Sequence, residues 1–297
     1  MTFSKDYGTL YLCATPIGNL GDITQRVLDT LRSVDVIAAE DTRNTKKLLA
    51  HFDIHTPLTS YHEFNKFDKA EELIRELKEG RNIACVTDAG TPAISDPGEV
   101  LTRRCIEEGI RVTSLPGACA LITALTLSGM KARRFVFEGF LPDDRTDRKE
   151  RRRILSQLEN EERTIILYEA PHHLKGTLSE LMDHLGGERK ITVCRELTKK
   201  FEEAVPETLG DAVRFYEENE PRGAYVLVIE GAEPGTAEKK KQEAWKSMTV
   251  PEHVALYEAQ GLPRKDAMKK AAEDRGISRR DIYAELLKDG NAGDHEK

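Results

Sequence analysis

With 297 residues, 33% charged and 39% apolar side chains, the chain has the composition of a globular protein too long for one typical core. No apolar run reaches the roughly 20 residues of a membrane helix, and Met1 to Gly8 hold no apolar signal-peptide core, so a cytoplasmic protein without membrane contact is expected. A net charge of −7 speaks against a generally basic nucleic-acid binder, so any contact with RNA must come from local clusters.

Leu10 to Thr15 reads as a first strand. Pro16 to Gly21 follows as a loop with neither the Gly-Lys-Ser/Thr ending of a P-loop nor a G-x-G-x-x-G fingerprint, which argues against the common nucleotide cradles. Asp22 is placed as the N-cap of a helix in which Ile23, Val27, Leu31 and Val34 recur at helical spacing. Val34 to Ala39 is a second strand, ending at Glu40, Asp41, Thr42 and Arg43, and Leu48, Leu49 and Phe52 mark the inward side of the next helix. Acids at a helix start suit its dipole. Arg43 with Lys46 fits either phosphate contact or surface charge. Leu58 to Tyr61 is a third strand with His62 beyond it, and Ala70, Leu73, Ile74 and Leu77 outline an amphipathic helix closed by Gly80.

Ile83 to Val86 reads as a short strand buried on both faces, and Val100, Leu101 and Cys105 share one side of a helix closed by Gly109. Between them lies Thr87 to Gly98, longer than the 2–6 residues usual for such a connection. It sits at the carboxyl end of a strand, where open α/β sheets bind ligands. Gly90 permits close approach of a ligand, Pro92 and Pro97 stiffen the turn, and Asp88 and Asp96 offer acceptors. Ile110 to Leu115 is a further strand, turned by Pro116-Gly117 into the apolar helix Ala118 to Ser128. Alternating strands and helices predict a mostly parallel sheet over residues 1–120.

A second α/β domain, 121–232, follows with strands at Arg134 to Phe140, Thr164 to Tyr168, Ile191 to Arg195 and Ala224 to Glu230. Leu174, Leu178, Leu181 and Leu185 form one buried helix face, and the irregular stretch Phe201 to Pro206 favours a mixed sheet. Basic residues cluster at Lys131 to Arg134, at Arg145 to Arg153, and at Arg189-Lys190 with Arg195, Lys199 and Lys200. The middle run, interleaved with Asp147 and Glu150, suits a solvated helix face or a phosphate. His172 and His173 would point to different faces, and no metal is expected. Cys13, Cys85, Cys105, Cys119 and Cys194, odd in number and never C-x-x-C, read as reduced core residues. Gly231 to Lys241 reads as a linker to a helical, helix-turn-helix-like module over 245–289, where Lys265, Lys269 and Arg279 fit nucleic-acid docking as well as a packing hairpin would.

Several segments carry a family resemblance: Thr87 to Gly98, Ala14 to Asp22, Ala39 to Arg43, Leu115 to Ala118, Tyr168 to His172 and Cys194 to Lys199. In this order they resemble the small-subunit rRNA methyltransferase I family, a branch of the tetrapyrrole methylases that uses S-adenosylmethionine. The resemblance covers roughly residues 9–231. It implies two α/β domains with the cofactor in the cleft between them, a 16S rRNA or small-subunit substrate methylated on a cytidine ribose 2′-hydroxyl, and a homodimer. It places cofactor contacts at Thr87, Asp88, Ala89, Gly90, Thr91, Ile94, Asp96, Ala118, Cys119, Tyr168, Glu169 and Leu197. A ribose hydroxyl is a weak acid, so a general base is expected, with Glu40, Asp41, Asp88 and His62 as candidates. Arg43, Arg195 and Lys199 are candidates for phosphate contact. Two rivals are a tetrapyrrole C-methylase of the same fold and a non-enzymatic regulator that uses the terminal helices on DNA.

Overall fold

The computed structural model describes residues 4, 6–236, 245 and 248–292. The chain divides into two compact units, Met1–Gly231 and Ala232–Lys297. The first unit holds two five-stranded sheets. In the first sheet the order is β3-β2-β4-β1-β5, built from β1 (Thr9–Cys13), β2 (Val36–Ala39), β3 (Leu58–Ser60), β4 (Ile83–Val86) and β5 (Arg111–Leu115), and each pairing is parallel. β2 and β4 are buried at every position, because helices cover both faces of a parallel sheet. α3 (Lys66–Lys78) and α4 (Gly98–Glu107) cover one face through Leu73, Leu77, Leu101 and Cys105. α1 (Gln25–Ser33) and α2 (Thr42–His51) cover the other through Val27, Leu31 and Leu49.

The second sheet is mixed. β6 (Phe135–Phe140) runs parallel to β7 (Thr164–Glu169), whereas β10 (Tyr225–Ile229) is antiparallel to β7 and to β8 (Lys190–Arg195), and β9 (Glu203–Thr208) is antiparallel to β8. Its two faces follow strand alternation. Ile165 and Leu167 enter the core shared with α6 (Arg148–Leu158), α7 (Pro171–Leu185) and α8 (Leu209–Glu218), while Ile166 packs under α5 (Ala120–Ser128). α5 follows the last strand of the first sheet and buries Leu121, Ala124 and Leu125 on the second, tying the two halves together.

Four sequence expectations are corrected. Thr24, not Asp22, caps α1, because its hydroxyl accepts from the Val27 amide at 3.2 Å while Asp22 ends a short 3₁₀ turn. Phe201 to Pro206 is irregular only at its start. From Glu203 it is a strand at the sheet edge, where Pro206 costs no needed hydrogen bond. Arg151 is neither a solvated residue nor a phosphate ligand. It is buried beneath α6, where its guanidinium donates to Glu180, the Pro142 carbonyl and Thr177 at 2.7, 3.0 and 2.8 Å. The terminal module has three described helices rather than two: α9 (Val250–Ala259), α10 (Arg264–Arg275) and α11 (Arg279–Ala292). These three pack Val254, Ala267, Met268, Ala271 and Ile282 together, with Gly276 at φ +64° making the turn. Residues 237–241 of the expected linker lie outside the described residues.

Candidate active site

Between the two halves of the first unit a cavity of about 300 Å³ opens at the carboxyl end of β4. One wall is the loop from Thr87 to Asp96, and the other comes from Phe140, Tyr168, Leu197 and Lys199 of the second half. The first wall is held by backbone accounting. The Asp96 carboxylate accepts the amides of Ala93, Ile94 and Gly98 at 3.0, 3.2 and 2.8 Å, closing the loop around one side chain and occupying the start of α4. Burial pushes the Asp96 carboxyl above the usual range, against the pull of those three donors. Gly90 exchanges backbone hydrogen bonds with Thr15 at 2.9 and 3.0 Å, and the Thr91 hydroxyl donates to the Ala118 carbonyl at 3.0 Å. At φ +91°, Gly90 has a conformation that any Cβ would strain.

Glu40 and Asp88 form a carboxylate pair on this wall. Glu40 Oε2 accepts the Thr87 hydroxyl at 2.6 Å and the Asp88 amide at 3.2 Å, and Asn44 Nδ2 donates to Asp88 Oδ2 at 3.4 Å. The Asp88 carboxyl is raised by burial and then by the negative charge of Glu40. Asp41 has a different task. It caps α2 by accepting the Arg43 amide at 2.8 Å and pairs with the Arg43 guanidinium at 2.7 Å, which holds its carboxyl at about 2.

Most of the residues expected at the cofactor converge here. Thr87, Asp88, Ala89, Gly90, Thr91, Ile94, Asp96, Cys119, Tyr168 and Leu197 line the cavity. Tyr168 accepts the Leu121 amide at 3.1 Å through its phenol, and burial raises that phenol to about 12. Ala118 contributes only the carbonyl that fixes Thr91. Glu169 is turned away: one residue beyond Tyr168 on the strand, it points to the opposite face, where it meets the Ala170 amide at 2.7 Å and the Thr177 hydroxyl. Of the base candidates, Glu40 and Asp88 line the cavity, but Asp41 and His62 do not. His62 follows edge strand β3, beyond β2, and its Nδ1 is buried without a hydrogen-bond partner among the described residues. Arg43, Arg195 and Lys199 each face an acid, Asp41, Glu203 and Glu196, at 2.7, 2.6 and 2.8 Å.

The sequence reading missed Ile17, Ser95, Ala120, Phe140, Glu196, Ala224, Tyr225 and Val226 in the lining. Strand-end position was the available signal for Phe140 and Tyr225. Backbone strain was not visible. Ala93, Ser95, Glu196 and Thr198, at φ +69°, +63°, +52° and +66°, are four non-glycine residues in the left-handed region, and they flank this cavity from both loops. Among the described residues no cluster of His, Cys, Asp and Glu is arranged to hold a metal. Cys13, Cys85, Cys105 and Cys194 are buried free thiols, and Cys119 is half-buried.

Two α/β halves of this topology with a cavity between them define the tetrapyrrole methylase class. Residues 9–213 match the family Tetrapyrrole (Corrin/Porphyrin) Methylases. The chain is 49% identical to the Synechocystis sp. protein named ribosomal RNA small subunit methyltransferase I, over 95% of this chain and 100% of that one. It is 47% identical to the Bacillus subtilis protein of the same name, over 94% of each. It also matches the fold of uroporphyrin-III-C-methyltransferase from Thermus thermophilus, with TM-score 0.54 and 19% identity over 75% of this chain and 94% of that one. The chain belongs to the ribosomal RNA small subunit methyltransferase I family of the tetrapyrrole methylases.

Proposed function

We propose that this protein transfers a methyl group from S-adenosylmethionine to the ribose 2′-hydroxyl of a cytidine in the decoding region of 16S rRNA. The observation that carries the reading is one cavity, walled by both halves, with the Glu40 and Asp88 carboxylates on one side and Phe140, Tyr168, Leu197 and Val226, beside Glu196 and Lys199, on the other. The residues fit the cofactor. About 300 Å³ lies at the lower end of the range for small-ligand pockets. Ala120, Leu197 and Val226 offer an apolar seat for a purine, and the tight, positive-φ backbone at Gly90 lets a ligand lie against the main chain. When bound, the cofactor supplies an electrophilic methyl group.

The chain's own residues do the rest. Asp88 is positioned to take the hydroxyl proton, since it lines the cavity beside Glu40, and burial and Glu40 raise its carboxyl above the ordinary value, which makes it a stronger base. Glu40 is a positioning residue that holds Thr87 and the Asp88 amide. The two loops orient donor and acceptor, the source of much of the rate in a transfer between bound partners. The same pair of carboxylates would repel a polycarboxylate tetrapyrrole, which favours the RNA reading over the C-methylase. We further propose residues 1–120 and 121–232 as the two α/β domains, a cytoplasmic location and a homodimer. The dimer finds support in Ile122 and Leu127, 44% and 46% exposed on the apolar helix α5.

The test is incubation with labelled S-adenosylmethionine and small subunits that lack the modification, followed by nuclease mapping. Label on one cytidine ribose of 16S rRNA is expected. Label on a base or on protein, or no transfer at all, would overturn the reading.

A further inference from the structure

A second concavity, of about 400 Å³, lies along α2. Asn44, Lys47, Leu48 and His51 form one side, spaced at i, i+3, i+4 and i+7 on a single helix face, and Pro16, Gly18 and Leu20 form the other. Thr87 and Asp88 line both this groove and the cavity, so the two are continuous at the carboxylate assigned to the proton. Asn44 marks the junction, with its amide on Asp88.

Charge makes the groove specific. Arg43 is 85% exposed but held by Asp41. Arg195 and Lys199 are likewise engaged by Glu203 and Glu196. Lys47, exposed on the groove, has no carboxylate partner among the described residues. Leu20, 42% exposed, and Leu48 supply apolar surface beside it. An unpaired ammonium next to apolar side chains suits a nucleotide, with phosphate on the cation and base on the apolar floor.

Resting on the methyl-transfer reading, we propose that this groove binds the nucleotide adjacent to the methylated one, with Lys47 on its phosphate and His51 and Leu48 flanking it. A target nucleotide inserted in the cavity remains part of a strand that must leave along the surface. The groove is a path that starts at Asp88 and offers a free cation. The phosphate contact on α2 thereby moves from Arg43 to Lys47.

The experiment uses the full-length protein and small subunits lacking the modification. Lys47→Ala and Lys47→Glu are compared with wild type for S-adenosylmethionine affinity by calorimetry, for subunit binding across a salt series, and for KM and kcat. Cofactor affinity should be unchanged and kcat nearly so. KM for subunits should rise roughly tenfold for Lys47→Glu, and the salt slope should flatten by about 0.7–0.9, as expected for one lost phosphate contact. Arg43→Ala should change both less. An unaltered KM and slope in Lys47→Glu would overturn the assignment, and a parallel loss of cofactor affinity would show that the groove holds the cofactor instead. Failure of wild-type protein to label subunits would overturn the methyl-transfer reading and the groove with it.

Discussion

The two walls of the cavity are built on different principles. The loop Thr87 to Gly98 is closed by a half-buried carboxylate that takes three backbone amides and by a two-bond bridge to Thr15. The facing loop from Arg195 to Glu203 has two backbone bonds of its own, from the Lys199 amide to the Glu196 carbonyl at 3.0 Å and from the Glu202 amide to the Lys199 carbonyl at 3.1 Å, and is otherwise held by side chains near solvent: Arg195 to Glu203 at 2.6 Å, Lys199 to Glu196 at 2.8 Å, and the Thr198 amide to Glu202 at 2.6 Å. Depriving a part-buried amide such as that of Ala93 or Gly98 of its acceptor costs more than breaking an ion pair in water. The first wall is therefore expected to be the more rigid, and the second the readier to adjust when ligands arrive.

The largest effect should follow from removing the first wall's one organising side chain. Asp96→Ala should lower unfolding free energy by about 2–3 kcal/mol in urea titration, because the part-buried Ala93 and Gly98 amides lose their acceptor. Asp96→Asn, which keeps an oxygen, should recover part of it. Next in size is Gly90→Ala. Its Cβ would stand 3.3 Å from Ile17 Cγ2 and 3.6 Å from the Ala118 carbonyl at φ +91°, so a loss of about 1–2 kcal/mol is expected together with weakened cofactor binding in calorimetry. If stability falls as expected while cofactor affinity is kept, Gly90 shapes the wall without meeting the ligand.

The carboxylate pair gives a pH test. A proton acceptor must be ionised, so kcat/KM should rise with pH through the Asp88 pKa, which burial and Glu40 hold above the ordinary value of about 3.9. Glu40→Gln keeps an acceptor for Thr87 and the amide but removes the charge. The acid limb should therefore move to lower pH, and an upward shift would exclude Asp88 as the titrating group. The smallest effect belongs to the second wall. A double-mutant cycle on Arg195 and Glu203 should give less than about 1 kcal/mol of coupling, since both side chains are screened by solvent.

The contrast also marks what the sequence could disclose. β4 and its loop are legible because an apolar run of four residues followed by Gly and Pro admits few other conformations. The separate roles of Glu40 and Asp41 depend on which one becomes the N-cap, and this is decided by where α2 begins rather than by residue type. Glu169 was within reach of sequence reasoning, because strand alternation alone sends it to the face opposite Tyr168. His62 was not, since its distance from the cavity follows from the order β3-β2-β4, a tertiary fact. The left-handed residues Ala93, Ser95, Glu196 and Thr198 break local preference and are sustained only by the packing around them.

Both walls are proposed to close on one cofactor. Amide hydrogen exchange with and without S-adenosylmethionine tests it most directly. Slowed exchange is predicted in both Thr87 to Gly98 and Arg195 to Glu203, with the larger gain in the second, whose ties are nearer solvent. Protection confined to segments that do not line the cavity, or absent from both walls while the cofactor is bound, would contradict it.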